Sequence, residues 1–273
     1  MDSVPLHLKG RDIKEQKEAL LALLVPKEAA APPGLSSPFL QLLDSILDRL
    51  KTLYPKDLHY DESTGTLYSG FVAIHYTWYN RYSEKGDKDL PGPDKAYATR
   101  IVRGEAGKSN PYQRIPRESQ EIREDPAGYQ AMCEMLQPLF EWIRTSMAQY
   151  LPNEEYELRA YVEDLPLHSD SPCAPFGGYV VNFCVCTLAH RDHGDKILCV
   201  VCPMGQWEGG ELVLYEAGLI LALRPGDLVF FPSNKVTHFN MDFRGERVSF
   251  VMHSDVTGDA WVEERNGWGA HVQ

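Results

Sequence analysis

An α+β fold is predicted for this chain of 273 residues, with a β-rich core and helices packed outside it. Three observations predict it. Residues 156–253 read as one short strand after another, with turn residues between them and no sustained helical period. Asp125 to Tyr150 carries a single apolar stripe at helical spacing. Residues 1–57 read as helix with breaks. Strands at such regular spacing suggest a sandwich or a barrel.

The elements follow in chain order. Arg11 to Leu24 places Leu20, Leu21, Leu23 and Leu24 on a charged background and is read as helical. Pro26 to Pro38, rich in Ala, Pro and Ser, reads as a linker. Ser37 to Leu53 repeats Leu40, Leu43, Ile46, Leu47 and Leu50 at helical spacing, with Pro38 suited to a first turn. Phe71 to Tyr79 is β-branched and aromatic and predicts a strand. Ser83 to Asp94 has the composition of a surface loop. In the 125–150 helix Asp125 can cap and Pro126 takes the first turn; the stripe of Met132, Met135, Leu136, Leu139, Phe140, Ile143 and Met147 is read as packing against a sheet. Glu211 to Tyr215, Leu219 to Leu223 and Leu228 to Phe231 are further strands, the last two joined by an Arg-Pro-Gly-Asp turn at 224–227. The organisation expected is a helical segment over 1–57, a main domain over 58–255 and a tail over 256–273.

The net charge of −12 argues against a general binder of polyanions. One region differs. Over 97–117, Arg100, Arg103, Lys108, Arg114 and Arg117 face only Glu105, with Tyr97 and Tyr112 interleaved. Such a stretch can track a phosphate backbone, or it can be a solvated loop balancing acids elsewhere; both readings stay open. No apolar run is long enough to cross a membrane, and the polar N-terminus lacks the layout of a signal peptide. An intracellular, reducing compartment with free thiols is expected. Cys184-x-Cys186 and Cys199-xx-Cys202 have a spacing that zinc could use, but both pairs lie in apolar strand-like runs, and buried thiols are the preferred reading.

The chemistry concentrates after Tyr179, in YVVNFCVCTLAHRDHGD. Side chains two apart on an extended strand share a side, so His190 and Asp192 can grip one metal ion. His238 offers a second imidazole downstream. Two histidines and one carboxylate form a facial triad suited to Fe(II), leaving positions for a 2-oxo acid and O₂. The far carboxylate of such a cosubstrate needs a cation, and the planar fork of Arg247, nine residues beyond His238, suits it. Ser249 shares that strand face and can add a hydroxyl. Asn182 shares a strand face with His190 and either lines the pocket or satisfies a buried backbone group. His193, beside the triad, is a candidate to support its ligands.

Residues 179–255 resemble the core of the Fe(II)/2-oxoglutarate oxygenases, most closely the TET/JBP branch that oxidises nucleic-acid bases, in its short fungal-type members. The resemblance rests on the H-x-D pair, the strand–PGD–strand unit, the distal histidine and R-x-S; over the N-terminal half only the element order agrees. It implies a double-stranded β-helix of the jelly-roll kind. It implies iron on His190, Asp192 and His238, and 2-oxoglutarate on Arg247. It implies oxidation of 5-methylcytosine in DNA, a reaction of DNA demethylation, and hence DNA as partner and the nucleus as location. In some members an acid at the position of Asp195 reads the amino edge of the pyrimidine, for which a carboxylate is chemically suited; a loop acid capping a turn is the other reading. A histidine near His253 contacts the base in related proteins. The alternative keeps the chemistry and makes the substrate a protein side chain or a small metabolite. A non-catalytic binding module would have lost the triad or the clamp, and a metal protein without 2-oxoglutarate would not need Arg247 with Ser249.

Overall fold

Period-two alternation organises the C-terminal half. In the strand Leu228–Phe231, Leu228 and Phe230 join one apolar cluster while Val229 and Phe231 join another. A strand with both faces apolar belongs between two layers. The computed structural model describes residues 5–8, 19–27, 36–53, 60–61, 66–67, 72–77, 118–165 and 171–259.

The strands are β1 (Pro5–Leu8), β2 (Ala19–Val25), β3 (Tyr60–Asp61), β4 (Thr66–Leu67), β5 (Val72–Thr77), β6 (Gly178–Phe183), β7 (Cys199–Gly209), β8 (Leu212–Leu214), β9 (Leu219–Leu221), β10 (Leu228–Phe231), β11 (His238–Asn240) and β12 (Phe243–His253). The helices are α1 (Ser36–Leu53), α2 (Gln120–Glu124), α3 (Pro126–Tyr150) and α4 (Pro152–Asp164). A seven-stranded antiparallel sheet has the order β1-β2-β10-β7-β12-β6-β5. A smaller antiparallel sheet has the order β11-β8-β9, and β3 pairs with β4. The fold is therefore mixed helix and antiparallel sheet, as expected. No described helix is long and apolar enough to cross a membrane.

One face of the large sheet carries the helices. Asp125 accepts a hydrogen bond from the Gly128 amide at 2.9 Å and opens α3, with Pro126 in its first turn. The stripe of Met132, Leu136, Leu139, Phe140, Ile143 and Met147 is buried against the sheet, and the Phe140 ring lies 5.1 Å from that of Tyr179 on β6. The other face meets the small sheet. Cys199, Val229 and Phe231 pack there with Leu212, Leu214, Leu223 and Val236.

Two expectations need correction. The 1–57 segment is not wholly helical. Residues 19–25 form β2, paired with β1 and, through Leu23, with Phe230 of β10. Leu20, Leu21, Leu23 and Leu24 fit a helical period, but ALLALLV is also an unbroken apolar run, which suits a strand between layers. Ala22, Leu23 and Val25 are buried there. The helix expected over 37–53 is present as α1, with Leu43, Ile46, Leu47 and Leu50 buried. Second, residues 156–253 are not strands throughout, because α4 extends to Asp164. Its signals are Pro152 in the first turn with Glu154 and Glu155 beside it. Its inward face is confined to Glu155, Leu158, Tyr161 and Val162, too narrow a stripe to stand out in the sequence. The loop over 83–94, the basic stretch 97–117 and the tail beyond 259 lie outside the described residues.

Candidate metal centre and its cavity

β12 places a row of functional side chains by alternation alone. Val248, Phe250 and Met252 point to the helical core. Ser249, Val251 and His253 point the other way and line a cavity of about 590 Å³ between the sheets. Asn182, in register with Ser249 across the β6–β12 ladder, lines it too, as does His75 on β5. His75 had no partner pattern in the sequence, because only the edge pairing of β5 with β6 brings it there.

His190, Asp192 and His238 lie together on this cavity, with one ligand atom of each within 4.8 Å of the others. Among the described residues this is the one group of His, Cys, Asp or Glu placed to hold a metal ion. Backbone pairing brings them together. The His190 amide donates to the His238 carbonyl at 3.1 Å, and the His238 amide returns a bond at 2.9 Å. The Asp192 amide donates to the Ser233 carbonyl at 3.0 Å. Asp192 Oδ2 lies 3.4 Å from His238 Nε2, and its Oδ1 lies 3.9 Å from His190 Nε2. Each ring is oriented from behind. Nδ1 of His190 is 2.8 Å from the Leu188 carbonyl, and Nδ1 of His238 is 3.0 Å from that of Val236. A carbonyl only accepts, so each Nδ1 carries the proton and each Nε2 keeps its lone pair for a metal. These supports are backbone atoms and left no mark in the sequence. His193 is exposed.

Glu216, in the turn between β8 and β9, is a residue that sequence reasoning missed. It bonds Arg191 and Thr237, the neighbours of the ligands. Burial raises its carboxyl, but the bonds from Thr237 and Arg191 outweigh that and bring it down to about 2.

Arg247 is 3% exposed. Its guanidinium carbon lies 5.5 Å from the ring centroids of both Trp207 and Phe243. Its Nε is buried and makes no hydrogen bond among the described residues. Burial lowers the group to about 10, so it remains cationic at neutral pH. Across the ladder stands Gly205, with φ of +119°. A Cβ there would meet the Glu246 carbonyl oxygen at 2.2 Å, so only glycine lets the strands close beside Arg247.

Asp195 is buried at the cavity wall. The Ser233 hydroxyl donates to its Oδ2 at 2.7 Å, and His253 Nδ1 lies 3.3 Å from its Oδ1. The fold thus joins Asp195 and His253 directly. Cys199 and Cys202 enter opposite apolar clusters, and burial raises both thiols. They cannot face one zinc ion together with Cys184 and Cys186.

Known proteins resemble this chain in sequence family and in fold. The family described as Tet_JBP, oxygenase domain of the 2OGFeDO superfamily, matches residues 100–254. No curated protein matches the sequence. The fold is similar to that of NgTET1, solved in complex with 5mC DNA, at a TM-score of 0.55 and 12% identity over 88% of this chain and 74% of that one. A 2OG-Fe(II) oxygenase-family oxidoreductase from Burkholderia pseudomallei overlaps 29% of this chain and 42% of its own at 20% identity, with a TM-score of 0.26. The collagen prolyl hydroxylase of Paramecium bursaria Chlorella virus-1 overlaps 29% and 59% at 11% identity, with a TM-score of 0.24.

Proposed function

Because the chain belongs to the Tet_JBP family, the oxygenase domain of the 2OGFeDO superfamily, we propose that it is an Fe(II)- and 2-oxoglutarate-dependent dioxygenase that oxidises 5-methylcytosine in DNA. The two facing antiparallel sheets are then those of a double-stranded β-helix. One observation carries the reading. A two-histidine, one-carboxylate set opens on a cavity, while a buried arginine nearby in the fold has a donor without an acceptor among the described residues.

The residues fit the metal. Two imidazoles with free Nε2 atoms and one carboxylate suit Fe(II) and leave coordination positions open. Bound iron, with 2-oxoglutarate and O₂ as cosubstrates, supplies the oxidising power that turns a methyl into a hydroxymethyl group, with succinate and CO₂ as co-products. The protein's part is positioning. Arg247 meets the distal carboxylate of 2-oxoglutarate with a planar fork, in surroundings too dry for water to compete. Ser249 adds a hydroxyl on the same strand face. A cavity of about 590 Å³ has the size of an ordinary small-ligand site, enough for a cosubstrate and one base. A base in duplex DNA has to leave the stack to reach it. Asp195, hydrogen-bonded by Ser233 and in contact with His253, then accepts from the amino edge of the pyrimidine, with His253 and Asn182 beside it. NgTET1, with its 5mC DNA, supports this substrate. A DNA substrate implies the nucleus as the place of work.

The test is mass spectrometry of nucleosides after incubating a 5-methylcytosine duplex with enzyme, Fe(II), ascorbate and 2-oxoglutarate, beside Asp192→Ala. Hydroxymethylcytosine with wild type alone is the expected result. Succinate formed without base oxidation would overturn the DNA substrate and favour a protein or a metabolite, as the net charge of −12 would suit.

A further inference from the structure

All three candidate metal ligands come from two short segments, 190–192 and 238. Between His190 and Asp192 stands Arg191, and immediately before His238 stands Thr237. Both turn outward to the same carboxylate. The Thr237 amide donates to Glu216 Oε2 at 2.7 Å, and its hydroxyl donates to Oε1 at 2.5 Å. Arg191 Nη2 donates to Glu216 Oε1 as well. Arg191 Nε donates to the Thr237 hydroxyl at 2.9 Å and closes the ring of contacts. The Tyr215 amide, one residue before Glu216, donates to the Thr237 carbonyl at 2.9 Å.

We infer that Glu216 is a positioning residue for the metal centre, an external clasp that holds the His190–Asp192 arm against the His238 arm. The inference rests on the reading of His190, Asp192 and His238 as metal ligands. A ligand set assembled from separate segments binds an ion tightly only if the segments are already in place, since ordering them on binding costs free energy. The backbone pairing of His190 with His238 sets their distance. The clasp adds a second tie at the neighbouring positions, where a twist of either segment would swing Asp192 away from His238. Glu216 and Arg191 lie on the exposed rim, so the clasp can be cut without opening the core.

The test measures Co(II) affinity by calorimetry on the full chain, with Asp192→Ala as control and apo melting temperatures recorded. Glu216→Ala is expected to weaken Co(II) binding by about tenfold or more, in the range that removal of outer supports costs. Apo melting should stay close to wild type. The double variant Arg191→Ala/Glu216→Ala restores the net charge and separates clasp from field. Affinity as weak as in Glu216→Ala supports the clasp; recovery to wild-type affinity overturns it. Wild-type affinity in Glu216→Ala also overturns it. Should that variant not fold, Thr237→Val carries the test: weaker binding supports the clasp and unchanged binding overturns it. Wild type binding no better than Asp192→Ala would instead overturn the metal reading beneath it.

Discussion

The metal edge and the Arg247 wall lie on one face of the large sheet, yet they are built by opposite means. His190, Asp192 and His238 sit where strands run out, held by a few backbone bonds, and side chains of the first two are 37% and 29% exposed. Arg247 sits within an eleven-residue strand paired along its length with β7 and is almost wholly buried. At the edge, solvent reaches His190 and Asp192. At the wall, the fold strips water from a cation whose Nε meets no acceptor among the described residues. Burial of an unpaired charge costs several kcal/mol by the usual scale, which is the physical reason to expect an anionic ligand at Arg247.

The largest expected effect is at the edge. Asp192→Ala or His190→Ala should cut succinate formation by more than about a hundredfold, since loss of a ligand exceeds loss of its supports. Circular dichroism should stay that of wild type. A variant with full turnover would remove its residue from the ligand set.

Next comes the wall. Arg247→Ala should weaken 2-oxoglutarate binding by about 2 kcal/mol or more, read by calorimetry, with Co(II) affinity within about twofold. Arg247→Met sharpens the contrast. It replaces an unpaired buried charge with an apolar chain, so apo melting should hold or rise while cosubstrate binding is lost. A clear fall in melting would mean that the guanidinium is structural.

A smaller effect is expected at Asp195. Asp195→Asn should raise KM for a methylated duplex by about tenfold, the scale of one base contact, and leave uncoupled succinate production unchanged. Equal loss of both would move Asp195 from substrate contact to support of Ser233 and His253.

The smallest effect concerns pH. The Glu216 carboxyl is lowered to about 2, so its contribution is complete above the ordinary value near 4.5 and fades as pH falls toward 2. Melting temperatures of wild type and Glu216→Gln should differ slightly near pH 6 and converge in acid. A gap that persists at pH 2 would contradict the shift.

Much of the fold could be read from local pattern. Asp125 and Pro126 announced α3, and the Arg-Pro-Gly-Asp turn at 224–227 announced β10. The apolar run at 19–25 was misread because a short stretch apolar on all sides carries no period to choose by. Its neighbour β10, whose Phe230 pairs with Leu23 from 207 residues further along the chain, decided the matter. α4 was missed because its apolar stripe is diluted by acids, leaving only its proline and first-turn glutamates as signals.

The candidate site divides along the same line. The sequence by itself determined the chemistry available: which residues can ligate, which cation can meet a carboxylate, and that period two would set Ser249 and His253 on one face with Arg247. Those are properties of residue type and strand geometry, and they need no partner. Only the tertiary structure decided what each group meets. It brought Asp195 against His253, turned His190 and His238 through the Leu188 and Val236 carbonyls, drew Glu216 to Arg191 and Thr237, and left the Arg247 Nε without an acceptor among the described residues. Each depends on segments far apart in the chain or on backbone atoms that every residue shares, and neither leaves a trace in local sequence.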